Sequence, residues 1–130
     1  MHRHRILLIE DEAELAELLG DLLRDFGHEV RVAGSVGEAE EHLRGWPPCA
    51  VVTDVTLPDV AREELVQRLR VNVGSAPILL MSAIAPSDLR KLAEEQGAQG
   101  TIPKPFDLDE FEQAVRFECP ESAEEPAAHP

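Results

Sequence analysis

The chain contains no tyrosine, one tryptophan and four phenylalanines, so aromatic residues make up only 4% of its 130 positions. It has two cysteines, Cys49 and Cys119, far apart and without CxxC spacing or a paired histidine motif. That pattern argues against a disulfide framework or a zinc site and fits reduced, structural thiols. No apolar run approaches the roughly 18 residues of a membrane span. The basic start His2-Arg3-His4-Arg5 is followed by only four apolar residues, Ile6 to Ile9, before three acids. A secretory leader needs a longer apolar stretch, so the expected location is the cytoplasm. Basic residues are also scarce, 12 against 26 acidic, for a formal net charge of −14. Such a charge repels nucleic-acid phosphates and anionic lipid surfaces, and the expectation is of neither nucleic acid nor membrane as a partner.

What is present fits one soluble domain: 43% hydrophobic and 29% charged residues, in a chain long enough to bury a core without staples. Ile6 to Ile9 is a continuous apolar run, expected of a strand buried on both faces. Leu15, Leu18, Leu19, Leu22, Leu23 and Phe26 then recur at helical spacing, with Gly27 placed to end the helix. Val30 and Val32 suggest a second strand. Ser35 is placed to cap a second helix, with Glu38 completing a capping box and Val36, Ala39 and Leu43 inward. Cys49 to Val52, Ile78 to Met81 and Thr101-Ile102 read as strands three to five. Leu65, Val66, Leu69 and Val73 mark a third helix. A fourth, capped by Ser87, carries Leu89, Leu92 and Ala93 up to Gly97, and a fifth begins at Asp107 with Leu108, Phe111, Ala114 and Val115. Five β-α repeats predict an α/β fold, a five-stranded parallel sheet with helices on both faces. One domain of this pattern is expected over residues 1–118. The Pro-, Ala- and Glu-rich stretch 119–130 reads as a disordered tail.

In such folds ligands bind beyond the carboxyl ends of the strands. The first strand ends in Glu10-Asp11-Glu12, the third in Asp54 and the fourth in Ser82, while the fifth leads into Lys104-Pro105. Taken singly, each has a plainer explanation: acids at a helix start, a turn cap, a helix-capping serine, a surface lysine. All four at successive strand ends are not explained that way. Crowded carboxylates resist ionisation unless a cation joins them, and an all-oxygen set suits magnesium. Asp54 can then serve as a carboxylate nucleophile toward phosphorus, with Lys104 and Ser82 facing the phosphoryl oxygens.

The segments Ile6-Leu7-Leu8-Ile9-Glu10-Asp11-Glu12, Val51-Val52-Thr53-Asp54-Val55-Thr56-Leu57-Pro58, Met81-Ser82-Ala83 and Lys104-Pro105-Phe106 resemble the four signature segments of response-regulator receiver domains. The resemblance runs from about Arg5 to Phe117. It implies a flavodoxin-like (βα)5 fold and a phosphoacceptor at Asp54. It implies Mg2+ held directly by Asp11 and Asp54, through water by Glu10, and by the backbone carbonyl of Thr56. Ser82, Ala83 and Lys104 are implied to bind the phosphoryl group, and a cis Lys104-Pro105 bond follows the family pattern. The implied donor is a phosphohistidine on a sensor histidine kinase or histidine phosphotransfer protein, with signalling to an unknown downstream protein rather than small-molecule turnover. Three positions depart from the family. Glu10 replaces the commoner aspartate, the loop Pro58-Asp59-Val60-Ala61-Arg62 lacks the usual glycine, and Thr101 stands where a switch Tyr or Phe is usual.

A haloacid-dehalogenase-type phosphatase also uses an aspartyl nucleophile, but needs a second aspartate two residues on, where this chain has Thr56. A flavodoxin-like carrier needs a phosphate loop and aromatics around its flavin, and both are missing here. The closer rival is a pseudo-receiver that binds proteins without being phosphorylated; the missing aromatic at Thr101 favours it, and Asp11, Asp54, Ser82 and Lys104 count against it.

Overall fold

A computed structural model describes residues 4–119; the tail expected beyond Cys119 lies outside the described residues. The element order is β1 (Arg5–Ile9), α1 (Ala13–Asp25), β2 (Glu29–Ala33), α2 (Val36–His42), β3 (Ala50–Asp54), a 3-10 turn (Arg62–Glu64), α3 (Leu65–Val73), β4 (Ile78–Ser82), α4 (Pro86–Gln96), β5 (Gly100–Pro103) and α5 (Leu108–Glu118). All five strands are parallel in one sheet, ordered β2-β1-β3-β4-β5. Among the described residues no helix is long and apolar enough to cross a membrane.

Continuous apolar runs make sense because each central strand is covered twice. Leu7, Ile9, Val51, Ile78 and Leu80 face one core together with α2, α3 and α4. Their neighbours Ile6, Leu8, Val52, Leu79 and Met81 face a second core under α1 and α5. Strand side chains alternate between faces, so both faces of β1, β3 and β4 must be apolar for the sheet to hold two helical layers.

The helices follow their capping signals with some exceptions. Asp107 caps α5 in a full capping box: its carboxylate accepts from the Glu110 amide at 2.8 Å, and Glu110 accepts from the Asp107 amide at 3.0 Å. Ser35 accepts from the Glu38 amide at 3.2 Å, but the Glu38 carboxylate takes the Gly34 amide, so that box is only half formed. Ser87 does not cap α4. The helix begins two residues earlier than such a cap implies, at Pro86, with Ala85 at the cap position, where no side chain takes part. Proline's fixed φ and missing N–H suit that position and need no capping oxygen. In α1 the buried face is Ala16, Leu19, Gly20 and Leu23, while Leu18 and Phe26 are half exposed. Gly20 is there because a methyl group on it would lie 3.1 Å from Val32.

The sheet order fixes where a site can form. From β1 the chain crosses to β2 on one side, and from β3 it crosses to β4 on the other. The crevice between the carboxyl ends of β1 and β3 is therefore left open, as at the switch point of other doubly wound sheets.

Candidate functional site

Glu10 follows β1 directly and is only 2% exposed. Its amide donates to the Ala33 carbonyl at 2.9 Å, which prolongs the β1-β2 ladder by one residue and turns the side chain into the crevice. Asp11, next in the chain, is exposed. Asp54 is the last residue of β3 and is 9% exposed. One carboxylate oxygen from each of Glu10, Asp11 and Asp54 lies within 4.8 Å of the others.

Lys104 reaches this cluster from the far edge of the sheet. Its amide donates to the Ser82 carbonyl at 2.8 Å, and the Lys104-Pro105 bond is cis. Its ammonium lies 2.8 Å from Glu10 Oε1 and 3.2 Å from Asp54 Oδ2. Ser82 ends β4 and is 5% exposed; its hydroxyl accepts from the Ile84 amide at 3.2 Å, and Ala83 beside it is exposed. Thr56 is exposed two residues past Asp54, with Arg62 3.4 Å from its hydroxyl. The structure thus brings Glu10, Asp11, Asp54 and Lys104 together, with Ser82 beside them at the end of the neighbouring strand.

Charge in the cluster is unbalanced, three carboxylates against one ammonium. Burial pushes the Glu10 carboxyl above the usual carboxylate value, outweighing the hydrogen bonds from Lys104 and the Glu12 amide, and the nearby Asp54 adds to the rise. Burial alone lowers the Lys104 ammonium, but its bonds and attraction to Glu10 and Asp54 outweigh that, and it is held above its ordinary value. A partly buried all-oxygen set with surplus negative charge fits a small, hard divalent cation better than any soft metal.

Thr101 lies away from the cluster. It pairs with Leu80 in the sheet, is half buried, and lines hollows of about 910, 240 and 290 Å³ on either side of β5. A ring at this position has room that a threonine leaves open.

With the sheet order and these groups in view, the comparisons are direct. The description "Response regulator receiver domain" matches residues 6–116, and the chain belongs to that family. It is the receiver domain of a two-component response regulator. The DNA-binding response regulator MtrA of Mycolicibacterium paratuberculosis is 34% identical over 125 residues, which is 96% of this chain and 55% of MtrA. Response regulator protein PilR of Pseudomonas aeruginosa is 32% identical over 130 residues, 97% of this chain and 29% of PilR. The solved non-phosphorylated HemR receiver domain from Leptospira biflexa superposes with a TM-score of 0.78 at 34% identity, covering 88% of this chain and 93% of that one. Chemotaxis response regulator CheY4 of Vibrio cholerae, at 21% identity, shares the fold with a TM-score of 0.81 over 89% of this chain and 98% of its own.

The expectation that nucleic acid is excluded as a partner is corrected here. MtrA carries DNA binding in its name, and this chain spans about half of MtrA's length. The charge of −14 is that of these 130 residues alone. A charge summed over one domain does not set the surface of another domain joined to it.

Proposed function

We propose that Asp54 accepts a phosphoryl group from a phosphohistidine donor and that this modification is the signal the domain passes on. The observation that carries the reading is the cluster itself, three carboxylates within 4.8 Å and an ammonium 3.2 Å from Asp54. An Asp54 oxygen attacks phosphorus; the P–O bond forms as the P–N bond breaks, and the imidazole nitrogen leaves with the electron pair. Lys104, kept protonated by its acidic neighbours, exchanges part of its contact with Asp54 for a phosphoryl oxygen. The Ser82 hydroxyl and the backbone at Ala83 serve the remaining oxygens. Asp11, Asp54 and the Thr56 carbonyl are the proposed ligands of Mg2+, with Glu10 acting through water. When bound, the ion offsets the carboxylate charge and polarises the phosphoryl group.

We take the receiver unit to span residues 1–118, and its output to run through DNA binding, the property that the MtrA relatives carry in their name. Turnover of a small phosphate ester is not part of the proposal, because Thr56 occupies the place of the second acid. Incubation with Mg2+ and a small phosphoramidate, read by intact mass, tests the reading. The wild-type chain is expected to gain one phosphate, and Asp54→Asn none. A scaffold that works without phosphorylation predicts no adduct on either.

Switching is proposed to be subdued around residues 84–102, since threonine at 101 buries far less apolar area than a ring does. With beryllofluoride added, amide exchange is expected to slow near Asp54 and Ser82 and to change little at Thr101. Large changes confined to β5 at Thr101 count against this.

A further inference from the structure

The loop that follows Asp54 has no glycine, yet it turns tightly. Leu57-Pro58-Asp59-Val60 is closed by an antiparallel bridge between Leu57 and Val60, with Leu57 buried and Val60 packed on the core. Pro58 presets the second position of the turn, and no non-glycine residue among those described has a positive φ. Asp59 therefore sits at the tip.

The tip is tied to a distant part of the chain. Asp59 Oδ1 accepts from the Val36 amide at 3.0 Å, and Oδ2 accepts from the Gly37 amide at 2.9 Å. These are the first two residues of α2, whose own Ser35 takes only the Glu38 amide. Gly37 leaves space for the approach, since a methyl group there would lie 3.4 Å from Asp59 Oδ2. The anchor is itself fixed: Val36 and Ala39 are buried, and Glu40 binds Arg68 of α3 through both oxygens at 2.9 and 3.0 Å. At the other end of the loop Gln96 of α4 donates to the Arg62 carbonyl at 2.8 Å and accepts from the Val66 amide at 3.2 Å. The segment between Asp54 and α3 is thus pinned from two helices. Thr56 lies inside it.

We infer that Asp59 is a positioning residue: by tying the turn to the start of α2 it fixes the Thr56 carbonyl toward the carboxylate cluster. The inference rests on the reading of the Asp54 site proposed above. A ligand carbonyl on an untethered loop must be ordered when the ion binds, and that cost lowers affinity.

The test is a Mg2+ titration of the full chain, followed by calorimetry or amide NMR. Asp59→Ala is expected to raise the Mg2+ Kd about tenfold, at the low end of the roughly 10- to 100-fold that the loss of an outer support costs a metal site. Labelling at saturating Mg2+ is expected to reach the wild-type rate. In the metal-free variant, amide exchange at Val36, Gly37 and residues 55–60 is expected to speed up. Asp59→Asn keeps one acceptor oxygen and is expected to fall between. Glu40→Gln weakens the α2-α3 contact that fixes the anchor but keeps the Asp59 bonds; it is expected to lower the unfolding midpoint and to raise the Kd less than Asp59→Ala does. A wild-type Kd in both Asp59 variants makes the residue a helix cap only and overturns the inference. So does a Kd ratio that collapses toward one in about 1 M salt, where the Debye length is about 3 Å, because the loss is then one of charge. A wild-type chain that binds no Mg2+ refutes the Asp54 reading itself.

Discussion

Asp11→Asn is expected to leave the fold intact and to remove Mg2+ binding and labelling of Asp54 together. Asp11 is exposed and stands just past β1, so an amide of the same shape disturbs no core contact. What it removes is one of the three charges whose oxygens lie within 4.8 Å. A proposed direct ligand is lost, so the drop in affinity should exceed the roughly 10- to 100-fold typical of an outer support. Calorimetry and mass-detected labelling with a phosphohistidine donor check the two effects separately. Full labelling of the variant refutes the assignment of Asp11.

Glu10→Gln is expected to move stability and binding in opposite directions. Glu10 is buried, and its carboxyl is held above the ordinary value of 4.5, first by burial and further by Asp54. A raised acid binds its proton more tightly in the folded than in the unfolded chain. Its favourable contribution is thus complete below about pH 4.5 and is lost as the pH rises through the folded value. Once the pH exceeds that folded value, the ionised side chain is a liability that the metal-free fold carries. Glutamine copies the neutral form and can still accept from Lys104, so the metal-free variant should be more stable than wild type at pH 7. The advantage should shrink on acidification. Excess Mg2+ should stabilise the wild type by mass action and the variant much less. Thermal melts at pH 5 and 7, with and without Mg2+, give all four comparisons; a variant less stable than wild type at pH 7 without metal defeats the argument.

These expectations rest on positions that periodicity and strand ends make readable. The five strands, the five helices and the polar residues that close β1, β3 and β4 are legible because burial on two faces demands unbroken apolar runs. The first polar residue after such a run has to emerge at the rim. Other features were not legible, each for a physical reason. The five leucines of α1 and Phe26 just after it form a stripe wider than the sheet can cover. Contact with Val32 rather than hydrophobicity alone decides that Gly20 turns inward and Leu18 outward. The helix start at Pro86 was hidden by a serine one residue on, because both signals are local and only one fits the turn. Asp59 enters the sequence reading only as part of the glycine-free loop; its partners are 22 and 23 residues away, and nothing near it in sequence points to them. The excluded nucleic-acid partner failed for another reason, since composition speaks only for the residues counted.

The chain's only tryptophan has a practical bearing on all these measurements. Trp46 precedes β3, whereas Asp54 closes that strand, so the indole and the proposed phosphoacceptor lie toward opposite ends of the sheet. The ring is 4% exposed, donates to Glu29 at 3.1 Å and lies under Arg31, whose guanidinium is 4.7 Å from the ring centre. Its emission therefore reports whether β2 and β3 are assembled and is blind to what occupies the crevice. Optical melts of this protein read the scaffold, and ligand occupancy has to be followed by a probe placed at the other end.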